Sequence, residues 1–301
     1  MHMLVLQVLI TKQLGGVATN TRHHSVNCES GSPPRRGITM RFLIVHAHPE
    51  PKSFNGAMTR AAASALTAAG HGVEVSDLYA MHFNPVSGRS NFVTTYDEEY
   101  FRQQAEEAHA ARHDGFAADV QREMDKLFRC DALILQFPLW WFGLPAILKG
   151  WVDRVFASGG RIYGGGKWYD RGVFAGKRAM CAVTIGGLPP IYSEHGLNGP
   201  IASILFPINH GILYFTGFTV VEPFLVHAPA RISSEQRAAN LDSYRQRVLR
   251  LFSSPTIAYP GLNDYDEQFV LRTGVTVGSR GNTARQSNFL SPSRPESARL
   301  P

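Results

Sequence analysis

Apolar residues fall in blocks along the chain, and the blocks alternate between two periods. "RFLIVHA" (41–47) is a continuous apolar run, the pattern of a strand covered on both faces. "NGAMTRAAASALTAAGH" (55–71) follows with apolar positions at helical spacing and Gly70 near its end, which predicts a helix. "GVEVSDL" (72–78) reads as a second strand. The polar stretch 85–112 predicts a helix or an excursion. "ADVQREMDKLFRC" (118–130) is an amphipathic helix, and "DALILQFP" (131–138) a third buried strand. "PAILKGWVDRVF" (145–156) is a helix with Pro145 at its start, where proline is tolerated. "RAMCAVTI" (178–185) and "GFTVVEPFLV" (217–226) read as fourth and fifth strands. "SSEQRAANLDSYRQRVLRLF" (233–252) opens with a capping-box-like Ser-Ser-Glu-Gln. Strands separated by helices predict an α/β fold, a doubly wound five-stranded parallel sheet with helices on both faces. Ligands bind such sheets outside the carboxyl ends of the strands.

Met40 opens "MRFLIVHAHPE", the start of the strand–helix alternation, so residues 40–271 are expected to form the folded domain. Residues 1–39 read as a disordered leader or an upstream mis-annotated start, and residues 272–301 as a disordered basic tail. Charge follows the same division within a total of +6. Residues 1–39 hold four Lys/Arg against one acid, and 272–301 hold five Arg against one Glu, so the middle is close to neutral. A nucleic-acid groove is therefore not expected. The three cysteines, Cys28, Cys130 and Cys181, form no CxxC pair. That count fits a reducing, cytoplasmic setting, with Cys130 and Cys181 as small buried hydrophobes. No metal site is expected. No stretch reaches the roughly 18 to 20 apolar residues of a membrane span.

The loops after the strands carry the candidate chemistry. "HAHPEPKSFNGA" follows the first strand. It places His48, Ser53, Phe54 and Asn55 ahead of a helix, where free N–H groups can hold a phosphate. A plain N-cap at Ser53 or Asn55 is the competing reading. "GGRIYGGGKW" is not a P-loop, since Trp168 follows Lys167. "FPLWWFGLP" follows the third strand as a flat, aromatic turn between prolines. Trp141 and Phe142 there suit a planar ring, whereas Trp151 and Phe156 read as core. "TIGGLPPIYSEHGLNGP" follows the fourth strand. Gly186 and Gly187 let a ligand approach the backbone closely.

Taken together, "LIVHAHPEPKSFNGAM", "SDLYAMHFNPV", "QFPLWWFGLPAILKGWVDRVF", "YDRGVFAGKRA", "TIGGLPPIYSEHGLNGP" and "LFPINHGILYFTGFTVVEP" resemble the NAD(P)H:quinone oxidoreductase (DT-diaphorase-like) family, of flavodoxin-like fold. The resemblance implies a homodimer with FAD rather than FMN, NADH or NADPH as donor, and a quinone or similar acceptor. It implies that His48, Ser53, Phe54, Asn55 and Ala57 surround the FAD pyrophosphate. Pro138, Leu139, Trp141 and Phe142 line the isoalloxazine. Thr184, Ile185, Gly186 and Gly187 meet its polar edge, with Tyr192 near the flavin carbonyl and Arg237 near the adenine. Tyr163 and Phe215 belong to the substrate pocket with Trp141 and Phe142, Phe215 from the partner subunit.

The sequence departs from that family in two places. A relay histidine is expected six residues after Tyr192, and Asn198 stands there. Asparagine donates a hydrogen bond but accepts no proton onto a basic nitrogen. His195 is a substitute if the backbone there is helical, and otherwise reads as a solvated surface histidine. A second pocket tyrosine, expected two residues after Tyr163, is Gly165, which predicts a more open pocket mouth. The same flavin site would serve a nitro- or azo-compound reductase, or a regulatory flavoprotein subunit of a potassium-efflux system.

Overall fold

The computed structural model describes residues 39–275. The expected leader and nearly all of the expected tail lie outside the described residues. Five strands form one parallel sheet in the order β2-β1-β3-β4-β5. They are β1 (Arg41–His46), β2 (Gly72–Asp77), β3 (Ala132–Pro138), β4 (Arg178–Ile185) and β5 (Thr219–His227). All seven residues of β3 are buried, which is why its sequence reads as a run rather than an alternation.

Side chains of successive strand residues point to opposite faces, and two apolar layers follow. Phe42 and Ile44 pack on one face with α1 (Phe54–Ala68) and α6 (Ser234–Leu249), through Met58, Leu66, Tyr244 and Val248. Leu43 and Val45 pack on the other with α3 (Ala118–Arg129) and α4 (Ala146–Val155), through Met124, Leu127, Leu148 and Trp151. Trp151 is fully buried, with Nε1 donating to Glu123 Oε2 at 2.9 Å, and Phe156 is buried beside it. Both are core, as read. Cys130 and Cys181 are buried free thiols, each pushed up to about 12 by desolvation.

The 85–112 stretch, expected as a helix or an excursion, is an excursion that holds the α-helix α2 (Gln103–His113). Two other features go beyond the sequence reading. The apolar stretch ahead of β5 folds as α5 (Ile201–Ile208), containing Pro207, and a π-helical segment Asn209–Tyr214. Proline lacks the N–H that a regular helix needs there. Opposite Met180–Ala182 of β4, β5 carries one extra residue, so its register slips between Val221 and Phe224. Pro223 sits at that slip, which an edge strand tolerates.

Candidate functional site

The chain leaves β1 and folds back through His48–Ser53 before starting α1. Ser53 caps the helix, its Oγ accepting from Gly56 N at 3.1 Å. A hydroxyl that accepts one bond still has its own O–H to donate, so capping and anion binding are compatible. The first amides of α1 have no intrahelical acceptor and carry the positive end of the helix dipole. Gly56 is required here, because a Cβ would lie 2.3 Å from Pro51 O.

A cavity of about 600 Å³ opens against this turn, lined by His48, Lys52, Ser53, Phe54, Asn55 and Ala57. Pro138 and Thr184 close its sheet side. Ser234 and Arg237 line it from the start of α6, and Pro229, Ala230, Ala238 and Leu241 give it an apolar end. The capping box expected at Ser233 and Gln236 is present. Two helix N-termini and two cationic side chains thus flank one elongated cavity, a setting that favours an anion.

Behind the cavity, Asn55 is buried with both ends of its amide bonded. Its Nδ2 donates to Thr184 Oγ1 at 2.6 Å, and its Oδ1 accepts from Gln136 Nε2 at 2.8 Å. The side chain ties α1 to β3 and β4, so the free backbone amide is what Asn55 has to offer a ligand. Gln136 Oε1 is buried without a partner.

The aromatic rim begins where Leu139 N donates to Thr184 O at 2.8 Å. Gly143 N then closes a turn on Trp140 O at 3.0 Å. Its two central residues, Trp141 (φ 49°) and Phe142 (φ 58°), are both left-handed. Bulky residues rarely adopt that region, and it costs about 1 kcal/mol or more each. Trp141 is 97% exposed and Phe142 52% exposed, so among the described residues almost no packing on Trp141 offsets its strain. Neither lines the large cavity, nor do Leu139, Ile185, Gly186, Gly187 and Tyr192; Leu139 and Ile185 follow directly in the chain on its lining residues Pro138 and Thr184.

The paired glycines are not equivalent. A Cβ on Gly187 would come within 2.5 Å of Ile191 Cδ1 and 2.8 Å of Tyr192 Cε2. A Cβ on Gly186 would meet nothing within 4 Å, and its backbone is not left-handed. Gly186→Ala is therefore expected to leave the melting of the ligand-free chain unchanged. It should weaken flavin binding about tenfold, as read by titration, because only a ligand needs that space. Unaltered flavin affinity in this variant would count against close backbone approach.

Tyr192 ends a short helical turn and is half-buried. The next residues, including His195, form bends and turns, so the helical geometry that would bring His195 beside Tyr192 is missing. His195 is exposed. Asn198 N closes the loop on Ile191 O at 2.9 Å. The imidazole against Tyr192 is His227, with ring centroids 5.8 Å apart. The sequence reading missed it, although the end of the last strand is where ligand groups gather.

Tyr163 and Phe215 come together, ring centroids 5.7 Å apart. They line a second cavity of about 220 Å³ with Gln103 and Glu107. Trp141 and Phe142 do not line it. Burial pushes the Tyr163 hydroxyl up, with the Glu107 charge adding to it. Burial also pushes the Glu107 carboxyl up, against hydrogen bonds from Ser158 and Gln103 that pull it down. Gly164, Gly165 and Gly166 are all left-handed, so the glycine cluster is a tight turn and not a phosphate loop. Among the described residues no group of three or more His, Cys, Asp or Glu could hold a metal ion. None of the described helices is long and apolar enough to cross a membrane.

A sheet of this order with its cavity at the carboxyl ends of the strands defines a nucleotide-binding flavodoxin-like protein. The flavodoxin-like fold family matches residues 40–251. Ribosyldihydronicotinamide dehydrogenase-like protein traD of Penicillium crustosum is 41% identical over 235 residues, 75% of this chain and 86% of the relative. NAD(P)H dehydrogenase (quinone) 1 of Cavia porcellus is 40% identical over 230 residues, 76% of this chain and 83% of the relative. A solved candidate quinone reductase of Klebsiella pneumoniae superposes with TM-score 0.77 at 38% identity, covering 81% of this chain and 98% of that one. The chain belongs to the flavodoxin-like fold family and, within it, to the NAD(P)H dehydrogenase (quinone) group that these relatives represent.

Proposed function

We propose that this chain is a flavin-dependent NAD(P)H:quinone oxidoreductase that binds FAD and works by two-electron, ping-pong hydride transfer as a homodimer. One observation carries the reading. A cavity suited to a diphosphate is lined by Pro138, and the strand end that carries Pro138 leads directly into a left-handed aromatic pair, of which Trp141 is 97% exposed among the described residues. The names of the relatives support the same reaction, and the buried free thiols fit a cytoplasmic setting.

The residues present fit FAD. An FMN phosphate would need the α1 terminus alone. Here the cavity continues past α1 to Ser234 and Arg237 and ends on Pro229, Ala230, Ala238 and Leu241, an apolar site for an adenine. When bound, FAD supplies the hydride chemistry. The protein supplies the rest. The α1 and α6 termini with Lys52 and Arg237 hold the diphosphate. Trp141 and Phe142 offer a flat face on which a nicotinamide and then a quinone stack. The Gly186 and Gly187 amides and the Tyr192 hydroxyl donate to charge that grows at the polar edge. In a homodimer the Tyr163–Phe215 cavity of one protomer would face the rim of the other and complete the substrate pocket.

The test is the visible spectrum of the purified protein, release and mass identification of its flavin, and anaerobic addition of NADH or NADPH followed by a quinone. Released FAD that bleaches with donor and regains colour with quinone is expected. A colourless protein that also refuses added FAD would overturn the proposal, and released FMN would overturn its cofactor.

A further inference from the structure

The two cavities have opposite chemistry. Lys52, Arg237 and two helix N-termini flank the larger one. The smaller is lined by two carboxylate residues, Glu107 and Asp153, and among the described residues by no Lys, Arg or His. Asp153 is partly exposed and pairs with Lys149 Nζ at 2.5 Å. Glu107 is buried. Its Oε2 accepts from Ser158 N at 2.7 Å and its Oε1 from Gln103 Nε2 at 2.9 Å. A carboxylate offers about four lone-pair sites, so roughly two remain. Among the described residues Glu107 makes no ion pair, unlike its neighbour Glu106, which Arg89 Nη1 meets at 3.3 Å. A buried carboxylate without a counter-charge is costly. Its place is also fixed, because α2 meets the turn after α4 backbone to backbone: a Cβ on Gly159 would lie 2.4 Å from Ala108 Cα. Tyr163, Phe215 and Phe156 line the same cavity with aromatic rings.

We propose that this cavity is a subsite for a cationic group on an aromatic acceptor, with Glu107 as its counter-charge and Tyr163, Phe215 and Phe156 as the rings that hold it. The proposal rests on the reading of this cavity as part of the substrate pocket, and deepens it by naming the charge of the acceptor. The face of an aromatic ring attracts a cation. A carboxylate shielded from water adds to that attraction, because little solvent screens it. An anionic acceptor meets the same unscreened charge and is repelled, and a diphosphate is kept to the larger cavity for the same reason. Size sets the rest. Drug-sized ligands occupy roughly 300 to 1,000 Å³, and this cavity has about 220 Å³. It therefore takes one end of the acceptor, an ammonium arm or an amine-bearing ring, while the reducible ring reaches the aromatic rim.

The probe is phenyltrimethylammonium, set against its neutral isostere tert-butylbenzene and against benzoate. Each is added to the purified protein, and binding is read from the nitrogen-15 amide shifts of Ser158, Gly211 and Thr216. The cation should bind about tenfold more tightly than its isostere, and benzoate should leave these amides unmoved. Glu107→Gln removes the charge and keeps the contacts, since the Gln103 amide can turn over to present its oxygen. It should erase the preference for the cation. Glu107→Asp draws the carboxylate back by one methylene and should weaken the preference; it serves where Glu107→Gln does not fold. Turnover gives a second readout, with a naphthoquinone carrying either a trimethylammonium-methyl arm or its neutral carbon isostere. The ratio of their kcat/KM values should favour the cation about tenfold in the parent and fall close to one in Glu107→Gln. Equal affinity for the cation and its isostere, shifts that fall outside this cavity, or a preference that survives both substitutions would overturn the proposal. A chain that takes up no flavin and reduces no quinone would instead defeat the oxidoreductase reading, and the amide shifts would still decide whether the subsite exists.

Discussion

Trp141→Gly is expected to melt no earlier than the parent chain, and up to about 1 kcal/mol later, while losing about 10²-fold in quinone-reductase kcat/KM. The two effects have separate causes. Trp141 holds a left-handed backbone that glycine adopts freely, and it is 97% exposed, so its side chain gives the ligand-free fold almost nothing. Covering about 100 Å² of a tryptophan face on a planar ring is worth about 2.5 kcal/mol, and aromatic geometry adds about 1 kcal/mol. That total of about 3.5 kcal/mol is an upper bound of between two and three decades of rate, of which about two are expected. Trp141→Ala separates the terms: it loses the stacking face and keeps the strained turn, so it should lose activity without gaining stability. Thermal melts with steady-state kinetics decide the matter. A Trp141→Gly chain that is less stable yet fully active would make Trp141 a packing residue, as Trp151 is.

The same contrast explains what the sequence makes legible. The strands announce themselves because a parallel sheet buries both faces, so β1, β3 and β4 are unbroken apolar runs. The loops after them stand out because polar turns are the rule and "PLWWFG" violates it. The stretch 201–214 defeats periodicity. It is apolar on nearly every side, carries Pro207 and Gly211, and folds as a short helix running into a π-helical segment, so no single period describes it. His227 escapes for a different reason. The slip at Pro223 is not visible in the sequence, and one slipped residue moves every later side chain of β5 to the other face. The slip sets His227 opposite Ile185 and thus beside Gly187. The sequence offers Asn55 as a candidate at the start of α1 but does not show the buried amide network that occupies its side chain, because Gln136 and Thr184 come from two other elements.

The polar excursion between β2 and α3 hides its anchor in the same way, and Arg154→Met is expected to cost about 3 kcal/mol. In the sequence Arg154 is one charged residue of the 145–156 helix. In the fold it is buried, with Nε donating to Asn91 Oδ1 at 2.7 Å and Nη1 to Asn84 O at 2.8 Å and Asp119 Oδ2 at 2.7 Å. Its guanidinium carbon lies 4.9 Å from the centre of the Phe83 ring. Methionine fills much of the volume but leaves Asn91 and the Asn84 carbonyl without their donor. Asp119 is partly exposed and regains water, which keeps the cost at the low end for a broken buried pair. The loss should not stay local. The excursion carries α2, and α2 brings Gln103 and Glu107 to the cavity of Tyr163 and Phe215. Hydrogen exchange should therefore rise across 84–113 in Arg154→Met while β1 and β3 stay protected, and urea melts should show the stability loss. An Arg154→Met chain with unchanged stability and exchange would move the anchor to Glu106, whose buried carboxylate already accepts from Arg89 Nη1, Tyr96 N and Asp97 N.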